Sequence, residues 1–250
     1  MSIPQNALNV KDPRPLVVDE LNIRSQYICS LIDQYRPYAK SPIEFVIAGG
    51  CMIDDITDID IFPVDNFPML HITGNRDGKI VSETRNATTW TGYRYPLQLC
   101  NYRKKALAEL VNSFDFTHIQ VGARIRIAPS LVEDVLPAYS VEEVYYTENW
   151  ISARCFRKSQ YTGSNYPLSS LIRMHKYLKK GYLQEKDRLP TTLKILNDIV
   201  KRGFTSYDDF KDQLDAVDLG LLPEDFKDLE RDELKELYEH LLKPTLGGIK

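Results

Sequence analysis

Hydrophobic positions are most regular around residue 45. The run IEFVIAG over 43–49 is short and rich in β-branched residues, and it stops at Gly49-Gly50. That pattern predicts a buried strand. Next, DIDIF over 58–62 alternates acid with Ile and Phe, so a strand there puts Asp58 and Asp60 on one face and the apolar side chains on the other. Upstream, residues 16–36 place Leu16, Leu21, Ile28, Leu31 and Ile32 at mostly helical spacing, predicting one or two helices that end before Pro42. From 69 to 100, β-rich pieces are separated by turn residues such as Gly74-Asn75 and Asp77-Gly78, which predicts hairpins extending the sheet. Helix formers over 103–112 lead into FDFTHIQVG, 114–122, read as a further strand. Beyond Pro137 the period becomes helical, over 141–158, 168–181, 190–202, 206–214 and 230–242. The expected fold class is α+β: a mixed sheet flanked by helices over 1–150, then an all-α region over 151–250.

Composition narrows the function classes. In 250 residues, 32 Lys+Arg against 35 Asp+Glu leave a net charge of −3, with 43% hydrophobic and 27% charged residues. These are the proportions of a globular protein, not of a disordered or fibrous one. A chain of this length buries roughly 70–75% of its unfolded surface, so it needs no disulfide or structural metal to hold a core. Cys29, Cys51, Cys100 and Cys155 are far apart and the four histidines are scattered, which argues against a zinc site or a disulfide framework. The longest apolar stretch, Phe45 to Ile53, is broken by glycines and falls short of the ~18 residues a membrane helix needs. No secretory signal opens the chain, so the expected location is the cytoplasm, or the host cytoplasm for a viral protein. The slightly acidic total excludes coating of nucleic acid by bulk charge while permitting a local basic face. The oligomeric state is left open.

The chemistry concentrates at FVIAGGCMIDDITDIDIF, 45–62. A strand ending in Gly-Gly exposes backbone N–H groups where no side chain blocks an anion, which suits the phosphates of a nucleotide. Asp58 and Asp60, two apart on one strand face, can reach the same hard cation. Two Mg²⁺ ions ~3.5–4 Å apart need such bridging carboxylates plus one more, and Asp115, framed by Phe114 and Phe116, is the expected third. On 168–181, Leu168, Leu171, His175 and Leu178 are expected to pack, while Arg173, Lys176 and Lys180 form a basic face. That face is either solvated or, through Arg173 and Lys176, turned toward the triphosphate. Trp90, Tyr93, Tyr95 and Tyr102 fit sheet packing better than a base-stacking platform. Arg124 and Arg126, alternating with Ile125 and Ile127, fit either a nucleic-acid path or a water-facing strand edge.

Gly-Gly, then an apolar-framed Asp-x-Asp, then a single framed Asp resembles the DNA polymerase β-type nucleotidyltransferase superfamily. GGCMIDD…TDIDIF is nearest the head domain of the tRNA nucleotidyltransferase and poly(A) polymerase group, whose pattern runs Gly-Gly-x-x-Arg-Asp and then Lys-Asp-x-Asp. The framed Phe114-Asp115-Phe116 before a Gln, and PLSSLIRMHKYLKKGY over 167–182, are also similar to small nucleotidyltransferase-like proteins of bacterial viruses, and the likeness as a whole covers roughly residues 43–182. The resemblance implies that Gly49 and Gly50 hold the phosphates of an NTP, with ATP or CTP expected, and that Asp58, Asp60 and Asp115 bind the two Mg²⁺. Asp54 matches the motif's Asp, whereas Ile53 stands where the motif has Arg. The implied activity moves an NMP to an acceptor hydroxyl with release of pyrophosphate. The expected acceptor and partner is an RNA 3′ end, with a protein hydroxyl or a non-catalytic nucleotide-binding role as alternatives.

Overall fold

A computed structural model describes residues 14–35, 37–38, 42–53, 56–64, 71–72, 79–84, 86–101, 106–128, 138–215, 235–236 and 238–239. The chain divides into two compact units, 1–156 and 157–250.

The first unit runs α1 (Arg14–Ile32), β1 (Pro37–Tyr38), β2 (Ile43–Ala48), a 3₁₀ turn (Gly49–Met52), β3 (Ile59–Pro63), β4 (His71–Ile72), β5 (Lys79–Glu83), β6 (Ala87–Thr91), β7 (Leu97–Cys100), α2 (Leu107–Asn112), a 3₁₀ turn (Thr117–Ile119), β8 (Val121–Ile127), β9 (Tyr139–Tyr146) and α3 (Glu148–Phe156). Seven of these strands form one sheet in the order β5-β6-β7-β3-β2-β8-β9, and β1 pairs with β4 separately. β3 and β7 run parallel; the other neighbours in the large sheet are antiparallel. The unit is α+β with a mixed sheet.

Alternation sorts the side chains onto two faces. Ile43, Phe45 and Ile47 of β2 stand opposite Ile127, Ile125 and Ala123 of β8, and Ile47 stands opposite Ile61 of β3. These residues are buried and share a core with Val17, Leu21, Ile28 and Ile32 of α1 and with Trp150 of α3. Each such side chain contributes ~1.5–3 kcal/mol on leaving water. Arg154 links the two helices, its guanidinium 2.8 Å from Glu20 and over the Trp150 ring at 5.2 Å. On the other face, Val46 and Ala48 pack under Leu107, Leu110 and Val111 of α2, with Phe62 and Phe114 beside them. Gly122 is required there. A Cβ on it would lie 2.9 Å from the Ala48 Cβ and 3.1 Å from the Ile47 carbonyl oxygen.

Two expectations fail in this unit. Residues 139–146 are strand β9, not the start of a helix. The β8–β9 register shifts between Arg124 and Ile125, so Val141 and Val144, both packed on the core, are three apart across a bulge and imitate helical spacing. Residues 114–120 are not strand. Phe116, Thr117 and His118 are buried in succession where the chain enters a 3₁₀ turn, and the strand begins at Val121. The Gln120 amide donates to the Phe114 carbonyl at 2.9 Å and its oxygen accepts from the Thr147 hydroxyl at 3.0 Å, holding this turn without a ladder.

The second unit holds α4 (Pro167–Lys179), α5 (Glu185–Arg202) and α6 (Tyr207–Asp215). Phe210, Leu214 and Tyr238 form its cluster, with Leu168, Ile172, Phe204 and Tyr207 against them. Of the α4 face expected to pack, Leu168 packs on this cluster and Leu171 and Leu178 are half-buried, but His175 is corrected. Ser170, Met174 and Tyr177 are buried, whereas His175 is exposed. Serines can occupy that face because the Ser169 hydroxyl donates to the Gln213 carbonyl and the Ser170 hydroxyl to the Tyr166 carbonyl. Between α5 and α6, Arg202 makes a two-pronged contact with Asp209 at 2.9 and 2.7 Å, and the Thr205 N–H reaches the same carboxylate. The expected helix over 230–242 lies outside the described residues except at 235–236 and 238–239. Asp54, Tyr102 and the turns at 74–75 and 77–78 also lie outside them.

Candidate active site

The site is built at the end of β2 and along β3. β3 buries Ile59, Ile61 and Pro63 and leaves Asp60 and Phe62 half-buried, so Asp60 is on the face opposite the main core, and Asp58, also half-buried, immediately precedes the strand. The Thr57 hydroxyl donates to Asp58 Oδ1 at 2.7 Å, which orients the first carboxylate. Asp60 stands beside Gln98 of β7 across the parallel pairing.

The glycine turn lies next to this pair, since continuing the β2–β3 register from Ile47 and Ile61 brings Ala48 opposite Asp60. The two glycines differ. Gly49 is buried with φ +81°, a conformation that disfavours any side chain, so its identity follows from the backbone. Gly50 is exposed, its φ is outside the left-handed region, and a Cβ there would meet nothing within 4 Å. Folding alone does not demand glycine at 50. The turn is fastened from below: the buried Arg24 of α1 donates from Nε to the Cys51 carbonyl at 2.9 Å, and the Ile53 N–H reaches the Gly50 carbonyl at 3.2 Å. Ile53, at the motif's Arg position, is itself in the core at 3% exposure. The guanidinium at this turn therefore comes from α1, and no local motif could have identified it.

Two thiols sense the carboxylates. Burial pushes the Cys51 thiol up, and Asp60 and then Asp58 add to the rise. Cys100 is raised well above its ordinary value by burial first, then by Asp60, Asp58 and Cys51. The carboxylate oxygens at this point are a donor set suited to a hard divalent cation rather than to zinc. Mg²⁺ fits such a pair, because it is typically held by one or two carboxylates together with substrate phosphates.

Asp115 is placed differently. It lies in a bend between α2 and the 117–119 turn and is 4% exposed. Among the described residues no group of three or more His, Cys, Asp or Glu is arranged to hold a metal, so Asp115 does not complete a ready-made triad with Asp58 and Asp60. Phe114 flanks the glycine turn, with its ring 4.0 Å from where a Gly49 Cβ would stand. Arg173 and Lys176 are half-buried on α4 of the second unit. Arg124 pairs at 3.7 Å with both Glu44 and Glu143 across the sheet, which is a structural engagement; Arg126 is exposed. Trp90, Tyr93 and Tyr95 pack against the main core, as sheet packing predicts. Two surface hollows, one lined by Arg126, Tyr139 and Glu142 and the other by Val18, Tyr146, Ile151 and Phe156, lie away from this site.

No family model and no curated protein matches the chain. Among solved structures, the Thermotoga maritima CCA-adding enzyme complexed with tRNA_CCA aligns over 99% of this chain and 71% of that chain, at 11% identity and a TM-score of 0.33. A superposition that loose transfers neither residue roles nor activity. No helix among the described residues is long and apolar enough to cross a membrane.

Proposed function

We propose that the chain is a Mg²⁺-dependent nucleotidyltransferase that moves an NMP from an NTP, ATP or CTP, to the 3′ end of an RNA. The observation that carries this reading is that Asp60 of β3 and Asp58, immediately before that strand, act on the same two thiols beside a glycine turn whose second glycine has no structural reason to be glycine. The backbone at Gly49-Gly50 would receive the phosphates, with Arg24 holding the turn in place. Asp58 and Asp60 would hold Mg²⁺ jointly with phosphate oxygens. The metal supplies charge neutralisation at the phosphates, which together with positioning accounts for most catalysis of phosphoryl transfer. The acceptor oxygen bonds to the α-phosphorus, the bond from that phosphorus to the pyrophosphate oxygen breaks, and the hydroxyl proton passes to a site carboxylate and on to solvent.

Asp58→Asn and Asp60→Asn should each reduce transfer from an α-labelled NTP to total RNA by at least about a hundredfold, with the melting temperature unchanged. Turnover within about tenfold of wild type in either variant would remove the carboxylate pair from the site.

Ile53, buried in the core where the motif has Arg, favours a second reading, a nucleotide-binding module of the same architecture without turnover. That reading predicts Mg²⁺-NTP binding by calorimetry with no pyrophosphate released on any RNA, DNA or protein acceptor.

A further inference from the structure

Beyond the carboxylate pair, the same face of the sheet continues as a polar strip. Across the strands the order is Thr89 on β6, Gln98 on β7, Asp60 on β3, and then β2 leading into the glycine turn. Thr89 and Gln98 stand opposite each other in the β6–β7 register, and the Gln98 amide donates to the Thr89 hydroxyl oxygen at 3.1 Å. That bond sets the amide's orientation and leaves its carbonyl oxygen to accept and the Thr89 hydroxyl to donate. Both side chains are half-buried, at strand spacings of about 5 and 10 Å from the Asp60 position. The glycine turn and this strip thus flank the carboxylates on opposite sides.

An in-line phosphoryl transfer has the same two-sided layout. Leaving pyrophosphate and attacking oxygen lie on opposite sides of the α-phosphorus, so if the glycines take the phosphates, the strip faces the attacking group. Its chemistry selects among acceptors. The strip pair is neutral, which does not suit a phosphate. Described aromatics do not serve it as stacking rings: Trp90, Tyr93 and Tyr95 pack on the main core and Phe62 lies 5.9 Å from Phe114, so a nucleobase gains little there. An oriented carbonyl next to a hydroxyl matches a small polyhydroxyl group, and at an RNA terminus that is the ribose, whose 2′-hydroxyl neighbours the 3′-hydroxyl.

We propose that Gln98 and Thr89 form the acceptor subsite of this centre and hold the 2′-hydroxyl of the terminal ribose while the 3′-hydroxyl attacks. The assignment rests on the nucleotidyltransferase reading above. Gln98 and Thr89 are positioning residues in this scheme, and the 2′-hydroxyl is the feature that distinguishes RNA from DNA ends.

The test compares two oligoribonucleotides of one sequence, one ending in a ribose and one in a 2′-deoxyribose, as acceptors of label from an α-labelled NTP. Wild-type protein should favour the ribose end by about tenfold or more, the value of one well-placed hydrogen bond. Gln98→Ala and Thr89→Val should bring the ribose end down to the deoxyribose level, with Mg²⁺-NTP affinity by calorimetry within about twofold of wild type. Gln98→Glu, which keeps the carbonyl acceptor and loses the amide donor, should retain part of the preference if it folds as the wild type does. Loss of NTP affinity in Gln98→Ala would move the strip to the nucleotide side and overturn the proposal. An undiminished ribose preference in both variants, or label entering protein in place of RNA, would overturn it too. A wild-type protein that transfers label to neither oligonucleotide and binds no Mg²⁺-NTP would instead refute the underlying nucleotidyltransferase reading.

Discussion

Gly49 and Gly50 are adjacent and chemically identical, yet the fold treats them differently. Gly49 sits at φ +81°, so Gly49→Ala should cost ~1–2 kcal/mol of stability through backbone strain alone, although the nearest atom to its Cβ is 4.0 Å away. Gly50→Val meets no atom within 4 Å, so its melting temperature should stay near that of wild type while Mg²⁺-NTP binding weakens severalfold or more. Thermal melts and calorimetry on the two variants separate a glycine kept for conformation from one kept for a ligand. A Gly50→Val protein with an unchanged NTP dissociation constant would contradict the phosphate cradle. The sequence pattern marks the pair but not the division of labour, because φ is set by how the 3₁₀ turn follows β2. Arg24 carried no signal at all: its link to the Cys51 carbonyl spans 27 residues and exists only once α1 docks on the sheet.

Element by element, what could be read depended on whether a single period governed the segment. β3 alternates cleanly, β2 is a short apolar run buried on both faces, and both stand where the pattern predicts. α1 does as well, since its buried residues recur at helical spacing along one face. β9 was illegible because a bulge replaces the period of two by a step of three. The 114–120 segment was illegible because its order comes from the Gln120 side chain rather than from a ladder. The corner between α5 and α6 gives a pH prediction. The Asp209 carboxyl is held below its usual range mainly by hydrogen bonds from Arg202, so its contribution is complete above the unfolded carboxyl value and is lost as pH falls through the lower folded value. Asp209→Asn should therefore destabilise the protein by roughly 1–2 kcal/mol near neutrality, and the gap from wild type should close below about pH 4. Urea melts at several pH values measure that gap; one that persisted undiminished at pH 3 would mean that packing, not charge, holds the corner.

At the scale of the whole molecule, the α+β sheet and the helical second unit follow from the change of hydrophobic period along the chain. The strand order does not. β7 lies parallel to β3, with β5 and β6 continuing beyond it, an arrangement that a sequence of hairpin signals cannot specify. Strand order is also what brings Gln98 and Thr89 to the carboxylate pair, so the strip became visible only with the fold. Gly122 shows how tightly the sheet and α2 are fitted around β2: Gly122→Val should cost several kcal/mol or prevent folding, because its Cβ would approach Ala48 within 2.9 Å and the Ile47 carbonyl within 3.1 Å. A Gly122→Val protein with wild-type stability would show that α2 can lift away from the sheet at little cost.

On the proposed function, this site joins the α-phosphate of a nucleotide to an RNA hydroxyl. That function is tested most directly by incubating the protein, Mg²⁺ and total RNA with ATP or CTP labelled at either the α- or the γ-phosphate. RNA should take up the α-label alone, the γ-label should appear as pyrophosphate in equal amount, and Asp60→Asn should abolish both. Label entering RNA from the γ-position, or no release of pyrophosphate despite tight NTP binding, would contradict it.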